Sequence, residues 1–273
     1  MEQLILRAQD GALATVMHHG AHVCSWIPAG GKEQLFVSKT SEFREGAAIR
    51  GGVPVIFPQF AGLGSLPKHG FARTATWRLL QSGHTGDGAA QAVFELRESI
   101  ATIALWPYVF RAELTVTLSG QQLDIALKVD NTGDTAFSFT SALHTYFAVG
   151  DITEASIHGL AGLHYRDSAT GADNCTETGE VLRIEGEVDR IYADAPALQL
   201  REPGRTMQIA AAGFRDAVVW NPGAAKGAAL ADLEPEGYRR MLCVESAAIM
   251  HPVQLAPGGS WAASQQLRAE PEN

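Results

Sequence analysis

Apolar and polar residues alternate with a period of two through much of this chain. Phe110, Ala112, Leu114, Val116 and Leu118 alternate with Arg111, Glu113, Thr115 and Thr117. After Ser119-Gly120-Gln121, the pattern resumes with Leu123, Ile125, Leu127 and Val129 against Asp124, Lys128 and Asp130. Successive strand side chains point to opposite faces, so each segment predicts a strand with one buried face, and the pair predicts an antiparallel hairpin. Shorter strand candidates are Leu13–Met17, Val23–Ile27, Gln34–Val37, Val53–Phe57, Thr74–Leu80, Ala92–Leu96 and Phe137–Thr140. Ala217–Trp220, Met241–Glu245 and Trp261–Leu267 complete them. Breakers such as Gly30-Gly31, Gly86-Asp87-Gly88, Pro203-Gly204 and Pro257-Gly258-Gly259 separate them. No long segment carries a helical period, and Gly159–Glu180 reads as a surface loop. The expectation is an all-β, antiparallel β-sandwich forming one domain over residues 1–273, without repeats or linkers.

Composition narrows the function more than the fold. A chain of 273 residues with 46% hydrophobic and 19% charged residues can bury a large core. Its formal charge of −9 argues against nucleic acid or an anionic membrane as partner, since both demand a basic surface. A small anion needs only a few local cations and stays open. Cys24, Cys175 and Cys243 are scattered, with no paired spacing, so free thiols in a reducing compartment are expected. The start of the chain lacks a basic segment followed by an apolar one, and no apolar run reaches membrane-spanning length, which predicts a cytoplasmic protein. His18, His19 and His22 do not follow a ligand spacing and are expected to be structural rather than metal-binding.

Several segments hold candidate chemistry. Arg50-Gly51-Gly52 sets a guanidinium beside residues that permit close backbone approach; it suits the mouth of a site or a solvated turn equally. Lys68-His69-Gly70-Phe71-Ala72-Arg73 gathers two cations and a histidine, which fits a phosphate or a basic surface turn. His144 stands among apolar and aromatic neighbours and titrates near neutrality unless perturbed. Glu245 ends an apolar strand, where a carboxylate is rare unless paired or working. Asp189 can accept bonds from sugar hydroxyls, and Trp220 offers an indole face to a pyranose; either can equally belong to a turn.

Taken together, these stretches resemble the glucose-6-phosphate 1-epimerase branch of the aldose 1-epimerase (galactose mutarotase) family. The matching stretches are Arg50-Gly-Gly-x-Pro54, Phe57-Pro-Gln-Phe60, His69-Gly-Phe-Ala-Arg73, Trp106-Pro-x-x-Phe110 and His144-Thr-Tyr-Phe147. Asp189-Arg-Ile-Tyr192, Val219-Trp-Asn-Pro222 and Val244-Glu245 follow in the family's order. The resemblance implies a mutarotase-like supersandwich binding the sugar on an open concave sheet. It implies proton transfer by His144 and Glu245, and phosphate binding by Arg50 and Arg73. Asp189 is the implied sugar ligand, His69 the implied sugar contact or support, and Lys68, where many relatives carry glutamine, an additional phosphate contact. An ionised Glu245 and a protonated His144 are expected to open and close the ring of a hexose 6-phosphate, with no metal or cofactor and with a monomeric chain. An epimerase for unphosphorylated sugars and a non-catalytic carbohydrate-binding module are the alternatives.

Overall fold

The computed structural model describes residues 1–270, and strands dominate it. Phe110–Ser119 pairs with Gln122–Asn131, Leu118 lying opposite Leu123. Residues from Phe110 to Leu118 are alternately buried and half-buried, as the pattern requires. This hairpin lies within a nine-stranded sheet. Edge to edge it runs Val181–Arg183, Ser156–His158, Leu198–Glu202, Arg205–Ala212, Ser260–Glu270, Gln122–Asn131, Phe110–Ser119, Ala90–Arg97 and Arg78–His84.

An eight-stranded sheet runs Ala172–Thr176, His164–Asp167, Val188–Tyr192, Asp216–Asn221, Met241–Leu255, Phe137–Leu143 and Val55–Ile56, with Tyr146–Ala148 also paired to Met241–Leu255. Gln3–Arg7, Leu13–Met17 and His22–Ile27 form a third sheet. All pairings between these strands are antiparallel. One large buried cluster joins the sheets. Leu114, Val116 and Ile125 of the hairpin share it with Val219, Leu242 and Val244 of the eight-stranded sheet. Burial of this kind is the main favourable term in folding.

The differences from expectation have local causes. Gln34–Val37 makes only single bridges, Leu35 to Phe147 and Val37 to Gly51. Glu33 Oε1 accepts the N–H groups of Trp26, Gln34 and Leu35, and the segment's backbone bonds are split between Trp26 O and the Tyr146–Ala148 stretch, so no continuous ladder forms. Thr74–Leu80 is displaced: Ala72–Thr74 forms a 3₁₀ turn, Trp77 N–H bonds His18 O at 2.8 Å, and the strand begins at Arg78. The segment Gly159–Glu180 contains a hairpin, His164–Asp167 with Ala172–Thr176. That hairpin is mostly exposed on both faces, so it shows no hydrophobic alternation. Two helices, Ile100–Leu105 and Gly223–Ala229, are too short to display a period. Among the described residues no helix is long and apolar enough to cross a membrane.

Candidate active site

The Met241–Leu255 strand is buried continuously from Met241 to Ile249 because both its faces are packed. Leu242 and Val244 join the inter-sheet core. Met241, Cys243 and Ala247 belong to smaller clusters on the opposite face. Directly opposed residues in an antiparallel pair project to the same face. The register therefore makes one rung of Asp189, Trp220, Cys243 and Tyr146, and a second of Ile191, Val218 and Glu245. His144, two residues before Tyr146, extends the second rung, with Nε2 3.3 Å from Glu245 Oε1. Residues a hundred positions apart meet through strand register.

Loops bring the remaining groups over this face. Gly52 has φ +60°, and a Cβ there would lie 2.3 Å from Val23 O, so only glycine lets the Arg50 segment approach so closely. His22 Nε2 donates to Gly51 O at 2.7 Å. Burial holds His22 down to about 4, so the ring stays neutral while it braces the loop. His19 Nε2 donates to Ala47 O at 2.6 Å, the same kind of bracing. Both histidines are structural, and the described residues contain no group of three or more His, Cys, Asp or Glu suited to a metal. At Gly70, φ is +67° and a Cβ would sit 2.3 Å from Phe57 O. That close packing turns Lys68 and His69 back over the sheet.

His144 and Glu245 are 7% and 1% exposed. Burial, with Asp189 nearby, raises the Glu245 carboxyl well above its ordinary range. Burial, followed by His69, Arg50 and Arg73, drives His144 well below its own. Both directions oppose the charged pair expected from sequence. They favour a pair that shares one proton, resting on the carboxyl and offered to Nε2. Glu245 Oε2 and His144 Nδ1 have no hydrogen-bond partner. The His144 ring stacks on Tyr146 at 4.8 Å with planes 9° apart, and meets His69 and Trp220 edge-on at 5.5 and 5.9 Å. Ala61 N–H donates to His69 Nδ1 at 3.3 Å, which leaves the His69 proton on Nε2 as a donor. Burial and then Arg73, Lys68 and Arg50 hold His69 down to about 3, so it stays neutral.

The cations differ from one another. Arg50 forks onto Asp232, with Nε and Nη2 each 3.1 Å from a carboxylate oxygen, and Nη1 donates to Tyr146 Oη at 3.0 Å. Its charge is already matched. Arg73 Nη2 donates to Lys68 O at 2.9 Å, and its buried Nε has no partner. Among the described residues neither Arg73 nor Lys68 has a carboxylate within ion-pair distance. Arg50, Arg73 and Lys68 lie close enough to disfavour one another's charge. Asp189 is raised by burial, against the pull of Lys226 and Lys68, and among the described residues its side chain takes no hydrogen bond. The structure thus brings His144, Glu245, His69, Arg50, Arg73, Lys68 and Asp189 to one face. It adds Asp232 and Tyr146, which sequence reasoning missed. Asp232 sits in an aperiodic Ala231-Asp232-Leu233 stretch with no signal, while Tyr146 lay in a quoted motif without a role.

The same chain matches the sequence profile of the aldose 1-epimerase family over residues 2–268. A protein from Cenchrus ciliaris, provisionally named glucose-6-phosphate 1-epimerase, is 36% identical over all of this chain and 86% of its own length. One of the same provisional name from Escherichia coli K12 is 36% identical over 84% of this chain and 77% of its own. The crystal structure of a provisionally assigned mutarotase from Salmonella typhimurium superposes with a TM-score of 0.88 at 30% identity, covering 95% of this chain and 88% of that one. These likenesses run the length of a chain whose paired carboxyl and imidazole share a sheet face with cations that have no carboxylate partner among the described residues. The chain belongs to the aldose 1-epimerase family.

Proposed function

We propose that this protein interconverts the α and β anomers of a hexose 6-phosphate by acid–base ring opening and closure. The 3.3 Å contact between His144 and Glu245, on the same sheet face as Arg73 and Lys68, which have no carboxylate partner among the described residues, carries the reading. In the productive form the shared proton lies on His144 Nε2. His144 passes it to the ring oxygen as the C1–O5 bond breaks, while Glu245 takes the proton of the C1 hydroxyl and C1=O1 forms. After rotation about C1–C2, Glu245 returns its proton to O1, His144 recovers the O5 proton, and C1–O5 forms on the other face. The two states of the pair are therefore the two ends of each half-reaction, and no proton enters or leaves. Positioned acid–base groups contribute about 10²–10⁴-fold each.

Trp220, Asp189 and His69 Nε2 border this pair and suit a sugar ring, its hydroxyls and its oxygens. Arg73 and Lys68 supply the charge that favours a phosphorylated sugar over a neutral one. The chain is read as one domain acting as a monomer, because the site needs no group from a second copy, and its three free thiols suit a cytoplasmic setting.

NMR exchange spectroscopy on glucose 6-phosphate and glucose tests the reading. The protein accelerates exchange of the phosphorylated sugar most, and His144→Asn abolishes the acceleration. Failure of the native protein to accelerate exchange of any aldose would refute it.

A further inference from the structure

We propose that Tyr146 is a positioning residue through which a bound phosphate activates the proton donor, so that the anion speeds turnover at C1 as well as fastening the sugar. This rests on the reading above and extends it. Tyr146 belongs to both ends of the site. Its hydroxyl accepts from Arg50 Nη1 at 3.0 Å, and its ring lies flat against His144 at 4.8 Å. Asp232 holds Arg50 by a two-point fork, so Arg50 in turn fixes the phenol. Tyr146 itself is 2% exposed, set in the rung beside Cys243, and has little room to move independently. An anion taken by Arg73 and Lys68 lies beside Arg50, and a shift of that guanidinium is passed through the phenol to the plane of the imidazole.

Charge acts in the same direction. The groups facing His144 are Glu245 from its neighbouring strand, Trp220 from the next, Tyr146 from its own segment, and His69, Arg50 and Arg73 from the loops. Arg50 and Arg73 both disfavour a proton on His144, and Arg73, with Lys68 near it, has no carboxylate partner among the described residues. A phosphate dianion carries the matching charge. Once it is bound, the shared proton moves more readily from Glu245 to Nε2, the form that opens the ring. A neutral sugar without the anion meets the pair in its less productive state. Discrimination then appears in kcat, where simple anchoring would place it in KM.

Inorganic phosphite supplied separately with unphosphorylated glucose is the direct probe. The native protein first has to accelerate glucose 6-phosphate exchange; if it does not, the underlying reading fails and not this inference alone. Given that activity, saturating phosphite raises kcat/KM for glucose exchange by about tenfold or more, the gain from one unit in the proton affinity of the donor. Tyr146→Phe, checked for folding by circular dichroism and melting, loses most of that stimulation and lowers kcat for glucose 6-phosphate more than it raises KM. Phosphite that leaves native glucose exchange unchanged, or inhibits it, overturns the proposal without reference to any variant. Full stimulation in a folded Tyr146→Phe protein overturns the role of Tyr146.

Discussion

Replacing Glu245 by glutamine keeps the shape of a side chain that is 1% exposed and removes its ability to take a proton. In the ring-opening step Glu245 is the acceptor for the C1 hydroxyl, so the loss is one positioned base, about 10²–10⁴-fold in exchange rate, or about 3–5 kcal/mol of barrier. The effect on stability has the opposite sign. Glu245 Oε2 is buried without a partner among the described residues, a cost of about 1–3 kcal/mol that the glutamine amide shares, so the difference lies in the charge alone. Its carboxyl is raised well above the ordinary 4.5 by burial. The folded chain therefore binds a proton that the unfolded chain has released, and native stability declines as pH rises from 4.5 through the raised value. Glutamine has no such decline. The melting temperature of Glu245→Gln equals or exceeds that of the native protein at neutral pH, by about 2–4 °C per kcal/mol gained, and the difference grows with pH. Exchange is read by NMR and melting by calorimetry across pH. Near-native exchange in the variant refutes the catalytic assignment. A variant that melts below the native protein at every pH refutes the electrostatic argument.

Two further outcomes follow from the cations and the buried histidines. Arg73→Ala removes an unpaired guanidinium and raises KM for glucose 6-phosphate by about 10- to 100-fold, the worth of one charge-assisted bond, with a much smaller effect on glucose; equal losses on both sugars contradict a phosphate role. On acidification, neutral His22, held at about 4 against 6.5, stabilises the fold fully above 6.5 and is overcome as pH falls through 4, a loss of about 3 kcal/mol. His69 and His144 act in the same sense. Glu95, held down to about 2 by Arg78 and then Arg111, adds a second loss between 4.5 and 2. A melting temperature flat between pH 6.5 and 4 in Glu245→Gln, which lacks the opposing titration of Glu245, would contradict the buried neutral state.

The long hairpin was legible because each strand keeps one wet face, so Phe110–Leu118 and Leu123–Val129 show the period openly. The weaker strands were missed for the converse reason. No residue of His164–Asp167 or Ala172–Thr176 is buried, Leu198–Glu202 is too short to establish its alternation, and Arg205–Ala212 ends in a run of alanines that blurs it. Gln34–Val37 pairs only through single bridges, with Glu33 taking the Leu35 N–H and sharing that of Gln34, contacts no alternation reveals.

The site divides along the same line. Residue types and motif order alone singled out His144, Glu245, Arg50, Arg73, Lys68, His69 and Asp189, because proton transfer and phosphate binding each demand a small set of side-chain chemistries. Tertiary structure decided how those groups stand to one another. It paired Arg50 with Asp232, left Arg73 and Lys68 without a carboxylate partner among the described residues, stacked Tyr146 on His144, and buried the imidazole and carboxyl 3.3 Å apart, where burial disfavours the charged form of each. Charge state and pairing depend on distance and on exclusion of water, and neither is written in the order of residues. They arise only when strand register and the tight loops at Gly52 and Gly70 bring distant segments onto one face.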